Sequence, residues 1–212
     1  GYGNHLQLVN EAQLSSETPW AIVPRYDFAN ASSLELDGTN DAVYAPDSPS
    51  LRPTTAITIE ATILADAASG RVISKRLGAG ASYALGFSGS GALTFTLSGA
   101  DDVEHTITGP VVTTGSWRHV AGTWDGDDMR LYLDGALVGS LAFAGPIGYA
   151  PHPVVVGAGE AGSELPECCY FDGNIEEVRI LGDAVPPGAF LIGGATTDAP
   201  VALDLPTILQ LA

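Results

Sequence analysis

Residues 116–139, SWRHVAGTWDGDDMRLYLDGALVG, are the first place in this chain to look for chemistry. Asp125, Asp127, Asp128 and Asp134 crowd there beside Trp124 and His119. A calcium loop needs acids at alternating positions, a central glycine and a later glutamate. Asp125 and Asp127 have the first spacing, but Met129 occupies the next ligand position and no glutamate follows at the right distance. DGDD therefore reads as a polar turn between two strands, and LDGA at 133–136 as a two-residue hairpin turn. His119 has no serine or cysteine nucleophile in an interpretable motif nearby and is expected to be structural. His5, His105 and His152 are scattered singly, without zinc spacing.

Other chemistries find equally little footing. Glycoside hydrolysis needs two carboxylates set across one face. Glu176 and Glu177 are neighbours, so regular strand geometry predicts opposite faces for them. No G-x-S-x-G elbow occurs. GAGEAG at 157–162 matches a dinucleotide fingerprint, but SELPECC after it supplies no helix, so a glycine-rich loop is expected. The adjacent Cys168 and Cys169 close no long loop. Two reduced, partly buried thiols are the leading expectation, with a vicinal disulfide or intermolecular pairing as alternatives.

Composition narrows the partners. The 212 residues are 45% hydrophobic, enough for a sizeable core, and no run approaches a membrane span. No basic and apolar leader opens the sequence, so no export signal is expected within it. The net charge of −17 arises from 25 acids against 8 cations, with charged residues only 16% of the chain. The acidity reflects missing cations more than surplus acids. Nucleic acid, anionic membrane and polyanionic glycans are disfavoured, because each needs a basic face. Divalent cations and neutral ligands remain.

Helical periodicity is nearly absent. Eleven apolar, β-branched runs are expected as strands: 33–37, 56–64, 71–75, 82–87, 92–97, 104–108, 117–124, 129–134, 136–143, 153–157 and 170–181. ALTFTL alternates Leu93, Phe95 and Leu97 against Thr94 and Thr96, the pattern of a half-buried strand. The fold class predicted is all-β, an antiparallel two-sheet sandwich. Pro186–Pro187 ends the regular pattern. Residues 184–212 are expected to be a tail or linker that adds an edge strand or docks on a partner.

The stretch W-R-H-V-A-G-T-W-D-G followed by L-Y-L-D-G resembles the central signature of the laminin-G-like, concanavalin A-like jelly rolls. SLELDGTNDAVYAPDSPSLRPTTAITIEATI (33–63) is similar to that family's opening segment, YFDGNIEEVRIL (170–181) to its closing strand, and GYGNHLQLVN to its first element. The match spans residues 1–183. The resemblance implies a structural calcium ion held by Asp37, the Gly38 carbonyl, Asp41, Asp172 and Glu176. The DGTND turn is dense in the hard oxygens that calcium prefers.

The family hosts lectins, adhesion modules and enzymes. The function expected is a non-catalytic module, extracellular or on a cell or particle surface, that recognises glycan or protein. An assembly subunit, pairing with copies or neighbours through the C-terminal tail, is the alternative, and a glycan-active enzyme the third. Aromatic platforms carry much carbohydrate recognition, which makes Tyr44, Tyr83, Trp124 and Tyr149 candidate ligand contacts, with Tyr132 a further aromatic. Asn30–Ala31–Ser32 fits a glycosylation sequon.

Overall fold

The computed structural model describes residues 7–9, 13–15, 33–159, 168–192 and 207–210. Its strands, in chain order, begin with β1 (Gln7–Val9), β2 (Gln13–Ser15), β3 (Ser33–Asp37), β4 (Ala42–Ala45) and β5 (Ile57–Ala67). β6 (Arg71–Leu77), β7 (Gly80–Phe87), β8 (Ala92–Ser98), β9 (Glu104–Val111) and β10 (Trp117–Trp124) follow. β11 (Asp128–Leu133), β12 (Ala136–Ala142), β13 (Val154–Val156), β14 (Asp172–Leu181) and β15 (Thr207–Gln210) complete the set. All eleven expected strands are present. β1, β2, β4 and β15 are additional, each four residues or fewer and too short to show a pattern.

Every pairing is antiparallel. The first sheet runs β1-β4-β13-β6-β7-β8-β9, and the second β12-β11-β10-β5-β14-β3-β2. β14 pairs with β5 along its length and with β3 through Asp172–Ile175, while β15 pairs with Arg179–Leu181. β3 and β15 thus share one edge of β14.

Alternation decides which side chains meet. In β5, Ile57, Ile59, Ala61 and Ile63 face inward, and β8 answers with Leu93, Phe95 and Leu97; all belong to one buried core. Trp124 and Phe95 are among its largest members. Gly122 lies under Phe95: a Cβ there would stand 2.4 Å from the ring, so only glycine lets the ring cross the gap between sheets.

One end of the core is closed by an ion pair. Lys75 is fully buried, and its Nζ donates to Asp47 Oδ1 at 2.7 Å and to the His152 carbonyl. Arg52 holds the other Asp47 oxygen. Burial alone would raise the Asp47 carboxyl, but its bonds to Arg52 and Lys75 outweigh that and hold it below the usual range. The same segment is pinned by Tyr83 Oη, donating to the Leu51 carbonyl at 3.2 Å, and by Tyr149 Oη, donating to Pro53 at 2.7 Å. Removing one partner of a buried pair strands the other charge. Asp47→Ala should therefore cost about 3–5 kcal/mol in denaturant unfolding. Lys75→Met in the same background should recover most of that loss.

Candidate functional site

The acid-rich stretch that invites a metal or catalytic reading is turn scaffolding. Asp125 Oδ1 accepts the Asp127 and Asp128 N–H groups at 3.2 and 2.9 Å, and Arg130 pairs with Asp125 and Asp128. The Arg130 hydrogen bond, then the Asp128 N–H, hold the Asp125 carboxyl down at about 2. Asp134 and Gly135 take positive φ, +51° and +75°, as a tight hairpin requires, and Asp134 Oδ1 caps the His119 N–H at 3.0 Å.

The residues expected to hold calcium come together only in part. Asp37 stands opposite Asp172 across β3 and β14. Asp41 is buried, and its Oδ2 accepts the Asp37 N–H at 3.2 Å. Gly38 packs so closely on Asp172 that a Cβ would lie 2.8 Å from the Asp172 Cβ. Desolvation, then the charges of Asp66 and Asp37, push the Asp172 carboxyl up. Asp66 is a neighbour that the sequence did not suggest. Glu176 does not join this group: it pairs in register with Thr62, four residues further along β14. Among the described residues no three acidic, histidine or cysteine side chains are grouped so as to hold a metal ion.

The aromatic candidates divide by burial. Tyr83 is fully enclosed, and Trp124, 2% exposed, donates Nε1–H to the Phe143 carbonyl at 2.8 Å. Both are core residues with no face open to a ligand, because inward alternation on β7 and β10 outweighs their polar tips. Tyr149 is half-buried against Tyr83. Tyr44 is half-buried on the outer face of the first sheet, near Tyr170. Tyr132 packs beside Phe190.

The outer face of the second sheet carries a buried polar network. Glu60 lies in mid-β5, 0% exposed, where outward alternation meets a covering segment instead of water. Its Oε1 accepts Arg179 Nε–H at 2.5 Å; its Oε2 is 2.8 Å from His119 Nε2 and accepts the Leu191 N–H at 2.9 Å. Burial would raise the Glu60 carboxyl, but the His119 hydrogen bond and the Arg179 charge outweigh it and hold it low. Arg179 also donates to the Ala189 carbonyl at 2.9 Å. Residues 184–192, assigned from sequence to a tail, thus close this face, with the Phe190 ring tilted against His119 and edge-on to Tyr132.

Glu176 and Glu177 do not point to opposite faces as expected. The β14–β5 register slips between Glu176 and Arg179, and Glu177 takes φ +53°. Ile175 and Val178 both enter the core, so the bulge leaves two residues between them on the outer side. Desolvation and the Glu177 charge raise Glu176 to about 8; desolvation and Glu60 raise Glu177 to about 7. Glu176 Oε2, both Glu177 oxygens, Thr62 Oγ1 and His119 Nδ1 are buried without a hydrogen-bond partner. At 4% and 3% exposed, the two glutamates have no access to a substrate.

The outer face of the first sheet is lined differently. The registers align Tyr44, Val155, Ser74, Ala84, Thr96 and Thr106 in one row across the sheet, and Arg71, Gly86, Thr94 and Thr108 in another. Thr94 and Thr96 lie low in the face, whereas Thr106 and Thr108 are exposed at its β9 edge. Thr96 and Thr106 bond through their hydroxyls at 2.8 Å, and Thr94 donates to the Gly86 carbonyl at 3.1 Å.

Beside these rows Cys168 and Cys169 are joined in a vicinal disulfide, not held as the expected thiols. Cys169 adopts φ +59°. Gly157 and Gly159 of GAGEAG flank this turn, with Phe171 N–H donating to the Gly157 carbonyl at 2.8 Å. Residues 160–162 of that motif, Asn30 and His5 lie outside the described residues.

The two antiparallel sheets and their strand order define a concanavalin A-like β-sandwich. Residues 37–188 match Laminin_G_3, the concanavalin A-like lectin/glucanases superfamily, and the chain belongs to that family. Among solved structures it is similar to the binding domain of Paraclostridial Mosquitocidal Protein 1 (TM-score 0.64, 12% identity), covering 89% of this chain and 46% of that one. Domain 4 of AbnA, an extracellular GH43 arabinanase of Geobacillus stearothermophilus solved with arabinotriose, is similar over 86% and 84% (TM-score 0.60, 14% identity). The botulinum neurotoxin serotype G binding domain is similar over 89% and 45% (TM-score 0.59, 12% identity). The chain thus spans about half the length of the toxin domains it matches. No curated protein matches it significantly.

The raised carboxyls set a pH dependence. A carboxyl whose pKa rises on folding, here from 4.5 to about 8 or 7, favours the folded state fully below the unfolded value. That advantage is lost as pH rises through the folded value. The thermal midpoint should therefore fall between about pH 5 and pH 8. Glu177→Gln should raise it at pH 8, leave it unchanged at pH 5, and flatten the slope in a calorimetric pH series.

Proposed function

We propose that this chain is a non-catalytic, extracellular or surface-borne module that binds glycan across the outer face of the first sheet. The observation that carries this reading is the β9 edge of that face, where Thr106 and Thr108 present exposed hydroxyls, with half-buried Tyr44 and Tyr170 on the same face; Ser74, Ala84, Thr94, Thr96 and Val155 between them are 5% exposed or less. A sugar presents one apolar face and many hydroxyls, and such a surface meets both with an aromatic edge and polar groups. Similar folds in an arabinanase domain solved with arabinotriose and in toxin binding domains support it. The non-catalytic part rests on the burial of Glu176 and Glu177, at 4% and 3% exposed. The vicinal disulfide suits an oxidising compartment. On a glycan microarray the folded chain should bind, and Tyr44→Ala should weaken binding roughly tenfold with its midpoint little changed. A folded chain that binds no glycan refutes the reading.

A calcium ion is part of the same proposal. Asp37, Asp41, Asp172 and the Gly38 carbonyl would hold it, and it would tie β3 to β14. Its support is charge crowding: Asp172 is raised next to Asp37 and Asp66, which a divalent cation would relieve. Among the described residues no ligand cage is already formed. Calcium should raise the thermal midpoint and chelator should lower it; an unchanged midpoint rejects the ion.

Assembly into a larger particle is the second reading, favoured by β12. This edge strand, A-L-V-G-S-L-A, carries no charge or proline, and Leu137 and Leu141 are 56% and 37% exposed. Unguarded edges of this kind pair with other strands. Sedimentation should then show self-association that Leu137→Lys abolishes.

A further inference from the structure

Arg71 is anomalous among the described cations. Arg52, Lys75, Arg118, Arg130 and Arg179 are each ion-paired, and Arg76 donates to the Gly78 carbonyl at 2.8 Å. Arg71 is half-buried, yet its guanidinium has neither a hydrogen bond nor an ion pair. In a chain with 25 acids and 8 cations, an unpaired arginine is unexpected on numbers alone. Glu104 acts on it only through its charge and accepts the Ala81 N–H at 3.1 Å instead. Burial pushes the guanidinium below its ordinary value, and the Glu104 charge offsets part of that.

Its setting is built around missing side chains. Arg71 stands opposite Gly86 in the row that continues to Thr94 and the exposed Thr108. A Cβ on Gly86 would lie 3.2 Å from the Arg71 Cδ, and one on Gly159 would lie 3.5 Å from its Cγ and 3.1 Å from Cys168 Sγ. The two glycines therefore let the aliphatic stem of Arg71 pack closely against the sheet, beside the vicinal disulfide.

We infer that Arg71 is the specificity-determining contact of the glycan face, receiving the single carboxylate of an acidic sugar. This rests on the glycan reading above. A planar carboxylate meets the guanidinium fork with two parallel hydrogen bonds and supplies the acceptors that the protein withholds. The exposed Thr108 hydroxyl in the same row serves the sugar hydroxyls. The net charge of −17 repels a polyanion, so a sugar with one carboxylate among neutral hydroxyls satisfies both constraints.

The test is calorimetric titration of the whole chain with three probes: a trisaccharide ending in a uronic acid, its methyl ester, and the neutral parent. The wild type should prefer the acid over both others by roughly tenfold or more. Arg71→Gln should bind all three alike, at the wild-type affinity for the neutral sugar, and Arg71→Lys should keep part of the preference. Absence of acid preference in the wild type, or its persistence in Arg71→Gln, overturns the inference. Neutral binding without acid preference leaves the glycan reading standing; binding of no sugar removes both. A dipeptide carboxylate bound as tightly as the acid overturns the assignment to a sugar. If Arg71→Gln fails to fold, the acid-to-ester ratio of the wild type decides alone.

Discussion

The architecture depends on one buried carboxylate. Glu60 sits in the middle of the central strand of the second sheet, where desolvation of an unpaired charge would cost several kcal/mol. Arg179, His119 and the Leu191 N–H satisfy it from three separate elements: β14, β10 and the segment after β14. A charge that must be met from three directions fixes the register of those elements against each other. It also recruits residues 184–192 as a cover, so the sheet has apolar and polar faces that are both buried. Thr58 repeats the device one step along β5, donating to the Asp183 carbonyl at 2.6 Å and accepting the Val185 N–H at 3.0 Å.

The same demand explains the acidity of the surface. Most described cations are consumed locally, by Asp47, by the turn acids Asp125, Asp128 and Asp134, or by Glu60. The net charge of −17 is what the 8 cations leave uncompensated among 25 acids, and it makes the external field negative.

Much of this fold was legible in the sequence because it is written in period two. WRHVAGTW spans 117–124 both as an expected strand and as β10, and the DGDD and LDGA turns fall where Gly and Asp place them. The fold class follows from such segments and is seen in the two sheets. What was not legible depends on a broken period. The bulge at Glu177 puts two glutamates on one side, and alternation alone predicts the reverse. Tyr83 and Trp124 look like ligand platforms by residue type, but inward phase on their strands sends both to the core. The Cys168–Cys169 bond and the isolation of Arg71 are relations between side chains, and no local pattern encodes them.

The two outer faces are treated oppositely, and that contrast bears on function. The second sheet spends an arginine, a histidine, an aromatic ring and nine residues of chain, 184–192, on closing its outer face. The first sheet lines its own with small side chains whose hydroxyls bond to backbone or to each other; Ser74, Thr94, Thr96 and Ser98 are buried, and Thr106 and Thr108 are exposed at the β9 edge. The exposed hydroxyls of Thr106 and Thr108 keep spare lone pairs and tolerate both water and a ligand, so that edge is stable when empty. A binding surface must meet that condition, because it spends much of its time without a ligand. Arg71 is the exception within it, a half-buried cation whose acceptors come from outside the chain.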